Sequence, residues 1–182
     1  MAALTEHTIL PLPAFEAPVK LLIVVSPYYR AIADDLIAGA RATAERAGAA
    51  VDLVEVPGAL EIPTAIAMAA RLSSYEGFVA LGCVIRGETT HYETVCNDSS
   101  RGLTLLGLQG LCIGNGILTV ENIDQAVVRA APDQQDKGGG AAAAALHLIA
   151  LKRRWESRTA GEGAVSSDII RLAGELDGPR GA

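Results

Sequence analysis

Seven consecutive residues, Gly87-Glu88-Thr89-Thr90-His91-Tyr92-Glu93, put a glycine, two hydroxyls and an imidazole in one short stretch of chain. They follow an apolar, β-rich run from Phe78 to Ile85 and then Arg86, and they precede a helical pattern. A strand therefore turns into a helix start here. Amides at a helix start lack intrahelical partners and favour anions. An imidazole beside such amides is placed for proton transfer near neutral pH. The segment predicts an enzyme that holds a phosphorylated small molecule and moves protons on it.

Other groups are candidates, each with a plainer alternative. His91 serves either in proton transfer or as a helix-start residue that satisfies backbone groups. Glu61 lies in Ala59-Leu60-Glu61-Ile62-Pro63, where a carboxylate either complements a helix N-terminus, worth roughly 0.3–1 kcal/mol, or accepts bonds from ligand hydroxyls. Arg129 falls at a helix end, where a cation favours the dipole. Lys137 precedes Gly138-Gly139-Gly140 and reads as a phosphate contact or a solvated loop residue. The Walker spacing is absent, so the three glycines read as tight packing or a turn rather than a phosphate loop. Tyr28 follows a strand through a proline and either stacks on a planar ring or stands exposed in a loop. His7 and His147 stand apart from these groups, and no second His or Cys stands at zinc-ligand spacing.

The elements that must position these groups are legible from periodicity. Lys20 to Val25 reads as a strand covered on both faces. A helix from Tyr29 to Ala47 follows, with Ile32, Leu36, Ala40, Ala44 and Ala47 as its stripe and Gly48 as its stop. Val51 to Val56 is the second strand. Pro57-Gly58 breaks it, and a helix starts near Pro63, where a missing N–H costs nothing, and runs to Ser73. Gly77 to Ile85 is the third strand and His91 to Leu108 the third helix. Leu111 to Leu118 is the fourth strand. Thr119 is then expected to cap a helix from Glu121 to Ala131. After a polar loop from Pro132 to Lys137 and the three glycines, an Ala-rich helix runs to Trp155. Strands alternating with helices predict βαβ crossovers and a parallel sheet. Ligands bind such sheets beyond the carboxyl ends of the strands. Ser26-Pro27-Tyr28, Pro57 to Glu61 and Arg86 to His91 all fall at that edge.

Composition narrows the class. The 182 residues are 50% apolar and 4% aromatic, which suits one domain with an aliphatic core. Three organisational parts are expected: an extended arm over residues 1–18, a catalytic domain over 19–158, and a polar, flexible tail over 159–182. The net charge of -6 excludes the basic face that nucleic acid requires. Cys83, Cys96 and Cys112 form no CxxC pair and read as reduced thiols in a cytoplasmic protein. No apolar run reaches the ~18 residues of a membrane span, and the N-terminus lacks a secretory pattern.

Taken together, these motifs resemble the lumazine synthase family. The resemblance rests on Val56-Pro57-Gly58-Ala59-Leu60-Glu61-Ile62-Pro63, on Leu81 to Glu93, on Val95-Cys96-Asn97, on Gly116 to Asn122 and on Asp136-Lys137-Gly138, in order and in register over residues 17–156. It implies a flavodoxin-like three-layer αβα sandwich around a four-stranded parallel sheet. It implies condensation of 5-amino-6-(D-ribitylamino)uracil with 3,4-dihydroxy-2-butanone 4-phosphate, without metal or organic cofactor, in a homo-oligomer that is a pentamer or a multiple of pentamers. By position it implies Tyr28 stacking on the pyrimidine, Ala59, Leu60 and Glu61 holding the ribityl chain, and backbone of Cys83, Val84 and Ile85 reading the uracil. It further implies Glu88 and Thr89 in the phosphate turn, and His91 in proton transfer. Asn115 and Arg129 would come from the neighbouring subunit, with Lys137 close by. The chain departs from many members at Tyr28, where they carry phenylalanine, and at Asn115, where an apolar wall is lost. Glu88 stands where a small residue is common, and its carboxylate is expected to point away from the anion.

Overall fold

The computed structural model describes residues 10–161. The first nine residues of the expected arm and nearly all of the expected tail lie outside them. The chain divides into a unit of residues 1–150, which holds the whole sheet, and a unit of residues 151–182, whose described part is the end of the last helix.

Four strands, β1 (Val19–Val25), β2 (Ala49–Glu55), β3 (Gly77–Ile85) and β4 (Cys112–Val120), pair in parallel in the order β2-β1-β3-β4. Between them run α1 (Arg30–Arg46), α2 (Glu61–Leu72) and α3 (His91–Leu108), and after β4 come α4 (Ile123–Ala130) and α5 (Lys137–Gly161). This is the flavodoxin-like arrangement. Side chains alternate faces along a strand, and the core divides accordingly. Leu21, Ile23, Val25, Val79 and Leu81 pack with Leu36 and Ala40 of α1, Ala126 of α4 and Leu146 of α5. Leu22, Val24, Phe78 and Ala80 pack with Ile62 and Ile66 of α2 and Leu103 of α3. The sheet is thus the middle of three layers. β1 and β3, the two inner strands, are buried almost throughout, as their unbroken apolar sequence requires.

β3 and α3 occupy the spans that periodicity predicts. α1 ends where Gly48 takes a positive φ of 70°, with its amide bonded to the Glu45 carbonyl. α2 begins two residues before Pro63, which still leaves the proline in the first turn, where no amide partner is lost. Two expectations are corrected. Thr119 does not cap α4, because it belongs to β4 and pairs in register with Val84. The cap is Asn122, whose side-chain oxygen accepts from the Gln125 amide at 3.0 Å. α5, for its part, begins at Lys137, so the three glycines are helical rather than a preceding turn, and it runs past Trp155 to Gly161.

Close packing is what Gly138 of α5 and Gly114 of β4 provide. A Cβ on Gly138 would lie 2.0 Å from the Leu36 carbonyl oxygen of α1, and one on Gly114 of β4 would lie 1.8 Å from the Ala141 carbonyl oxygen. Backbone therefore meets backbone where α5 crosses α1 and β4. Asp136, at φ 42°, holds the helix start, its Oδ1 accepting from the Gly139 amide at 2.9 Å.

Candidate active site

Beyond the carboxyl ends of β1, β2 and β3 lies a cavity of about 550 Å³. Each wall follows from a strand that runs out of ladder partners. β1 ends at Val25; Ser26, Tyr28 and Tyr29 form the wall beyond it. Ser26 is buried, and its amide extends the ladder by donating to the Leu81 carbonyl at 3.0 Å. β2 ends at Glu55, and Pro57-Gly58-Ala59-Leu60-Glu61 turns into α2. Glu61 and Ile62 donate backbone bonds to the Gly58 and Ala59 carbonyls at 3.2 and 3.4 Å. The floor is the end of β3, Cys83, Val84 and Ile85, and the far wall is Gly87, Thr89, His91, Tyr92 and Val95.

The three segments that the sequence assigns to the ligand edge thus converge on one cavity. Tyr28, Ala59, Leu60, Glu61, Cys83, Val84, Ile85, Thr89 and His91 all line it. Tyr28 stands 75% exposed and meets Tyr29 edge to face, with ring centroids 5.1 Å apart. Its ring is free to take a planar partner on the other face. Cys83 is buried, and desolvation pushes its thiol up to about 11. A thiol so raised stays protonated near neutrality and is a poor nucleophile, which leaves the strand-end backbone as the useful part of this residue.

At the start of α3 the chain leaves its donors open. Among the described residues no backbone bond engages the amides of Gly87, Glu88, Thr89 or Thr90, and the helix has no side-chain cap bond from Thr90. The Thr89 hydroxyl sits 3.4 Å from the His91 amide. Glu88 is exposed and is not among the residues lining the cavity.

Asn115, Arg129 and Lys137 do not line the cavity of their own chain. Asn115 lies on β4, the edge strand, and its Oδ1 accepts from the Ile117 amide at 3.0 Å. Arg129 lies in the last turn of α4 and donates to the Gln125 carbonyl at 3.1 Å. Lys137 opens α5 and is exposed. Tyr29, Tyr92 and Val95 line the cavity without having been singled out as site residues. Tyr92 and Val95 carry a signal, since three-residue spacing on a helix that begins at the ligand edge turns both toward the sheet. Tyr29 has no comparable signal.

Arg86 closes the back of this wall. Its Nε donates to Glu121 at 2.8 Å, its Nη1 donates to Glu93, and its guanidinium lies 4.1 Å from the centre of the Tyr92 ring. The bond from Arg86, helped by a backbone hydrogen bond at Glu93 itself, holds the Glu93 carboxyl below the usual carboxylate range.

Comparison with known proteins agrees with this geometry. The sequence model of the 6,7-dimethyl-8-ribityllumazine synthase family matches residues 18–153. A 6,7-dimethyl-8-ribityllumazine synthase of Jannaschia sp. (strain CCS1) is 53% identical over 162 residues, which span 89% of this chain and 91% of that one. The protein of the same name from Novosphingobium aromaticivorans is 56% identical over 136 residues, 75% of this chain and 98% of the other. That from Azorhizobium caulinodans is 57% identical over 141 residues, 74% and 87% of the two chains. The matched region contains every strand and every wall of the cavity, and the chain belongs to the 6,7-dimethyl-8-ribityllumazine synthase family.

Proposed function

We propose that the protein condenses 5-amino-6-(D-ribitylamino)uracil with 3,4-dihydroxy-2-butanone 4-phosphate to 6,7-dimethyl-8-ribityllumazine, phosphate and water. The observation that carries this reading is the family match across residues 18–153, whose motifs meet around a single cavity. In the proposed arrangement the pyrimidine stacks on Tyr28 and its edge meets the backbone of Cys83, Val84 and Ile85. Ala59, Leu60 and Glu61 take the ribityl chain. The open amides at Glu88 and Thr89 take the phosphate, where a helix start suits an anion.

The pyrimidine amine attacks the ketone and a Schiff base forms with loss of water. Phosphate is then eliminated, the resulting enol becomes a ketone, and the second amine closes the ring on it with loss of a second water. Every step relocates a proton, and His91 stands at the wall between the two substrates to accept and return it. Holding two reactants together supplies ~7–11 kcal/mol in favourable cases, against roughly 10²–10⁴-fold from a positioned acid–base group. Positioning is the larger share of the work in this site.

Asn115, Arg129 and Lys137 enter the proposal as groups supplied to a neighbouring subunit's cavity, in a ring of five or a multiple of it. Their absence from the lining of their own cavity supports this. So does the apolar surface that one chain leaves bare, with Leu72 at 84% and Leu108 at 81% exposure on α2 and α3. We place the working enzyme in the cytoplasm. Among the described residues no helix is long and apolar enough to cross a membrane.

The test is to supply pure protein with both substrates and follow lumazine absorbance. Appearance of the product at a rate above the uncatalysed condensation is expected. Tight FMN binding with no condensation would instead mark a flavodoxin-like binding protein.

A further inference from the structure

We propose that Arg86 is a positioning residue, a brace that sets the shape of the phosphate turn from behind without touching the phosphate. The turn comprises residues 87–90, and the proposal rests on reading that turn as the phosphate site.

Both ends of the turn are tied through this one residue. On the strand side the Arg86 amide donates to the Val120 carbonyl at 2.9 Å, one step beyond the last β3–β4 pair. Its side chain then reaches Glu121, just past β4, through Nε at 2.8 Å. On the helix side it donates through Nη1 to Glu93 in the first turn of α3 and lies 4.1 Å from the centre of the Tyr92 ring. Strand end and helix start are therefore held at one separation by a planar, five-donor group. Between them no backbone bond engages the amides of residues 87–90. Apart from the Thr89 hydroxyl near the His91 amide, no bond among the described residues engages the amides of the turn, so its shape follows from its two ends.

The same contacts argue against Arg86 as a phosphate ligand. One guanidinium faces two carboxylates, so the cluster as a whole offers an anion no positive charge. Its side chain is 39% exposed and those of Glu93 and Glu121 are 47% and 57% exposed. Ion pairs this open add little to folding stability, so the cluster is better suited to geometry than to holding the fold. A lysine could not replace it, because a point charge lacks the fork that spans two carboxylates while stacking on a ring.

The test compares Michaelis constants for the two substrates, and inhibition by inorganic phosphate, in folded full-length variants. Arg86→Met is expected to raise the constant for the butanone phosphate about tenfold, within the ~10²-fold that a misplacement of about 1 Å can cost. Inhibition by phosphate should weaken in parallel, the constant for the pyrimidine should stay within about twofold, and the melting temperature should barely move. Arg86→Lys should not restore the wild-type value. The double variant Glu93→Gln, Glu121→Gln, assayed at high ionic strength where the field of the lost charges is screened, should move the same constant upward. Recovery by lysine, or a fall in the double variant, would make Arg86 a charge acting on the phosphate and overturn the brace. Thr89→Pro, which removes one of the amides assigned to the phosphate, separates the two readings in a folded variant. If it weakens phosphate binding and Arg86→Met does not, the turn stands and the brace fails. If neither variant alters phosphate binding, the turn is not the phosphate site.

Discussion

His91 and Cys83 show how little a residue type says without its surroundings. Both line the same cavity, and either could in principle do covalent or proton chemistry. Burial raises the Cys83 thiol to about 11, which leaves it neutral and inert at physiological pH. His91 is exposed to the cavity mouth at the start of α3, with room to exchange protons with a bound ligand. Replacing His91 by Ala is expected to lower turnover by up to roughly 10²-fold, within the range of acid–base contributions, and to leave measurable activity, since the substrates are still held together. Steady-state rates with both substrates saturating check this. Unchanged turnover would give the histidine a structural role, and complete loss in a folded variant would give proton transfer a larger share than positioning.

Among the elements, α5 carries the clearest consequence of close packing. Gly138 and Gly140 stand two residues apart in the same helix with opposite surroundings. At Gly138 a new Cβ would meet the Leu36 carbonyl oxygen at 2.0 Å, and at Gly140 it would meet nothing within 4 Å. Overpacking a tight contact costs about 1–3 kcal/mol, while a helix-interior glycine gives up roughly 0.5–1 kcal/mol relative to alanine. Gly138→Ala is therefore expected to destabilise the protein and Gly140→Ala to stabilise it, as read by urea or thermal unfolding. Stabilisation at both positions would mean that α5 does not approach α1 as closely as these distances require.

For the whole molecule, the question is where Arg129 and Asn115 act. Within one chain they sit on α4 and on the outer strand β4, away from the cavity lining. If neighbouring subunits share sites, His91→Ala and Arg129→Glu impair different halves of each one. Reassembling rings from a mixture of the two should then produce some interfaces with both halves intact. Activity is expected to rise above that of either parent, measured by the lumazine assay after exchange is complete. An activity equal to the average of the parents would place the whole site within one chain.

The alternation of apolar runs and helical stripes by itself determined the order of elements, the parallel sheet and the edge at which the cavity opens. These follow from local rules. A strand with no polar residue must be covered on both faces, and a helix stripe must face the sheet. The bounds of β3 and α3 were legible because glycine, threonine and histidine end the apolar run abruptly. The cap of α4 was not, because Thr119 and Asn122 are both competent oxygen acceptors, and only the length of the β4 ladder decides which one lies outside the strand. Nor could the sequence place Gly138-Gly139-Gly140 inside a helix. Glycine is a poor helix former in isolation, and what overrides that preference is the approach of the α1 backbone, a contact with residues a hundred positions away. The brace at Arg86 belongs to the same class. Its partners Glu93 and Glu121 lie 7 and 35 residues along the chain, and only the pairing of β3 with β4 brings them to one guanidinium.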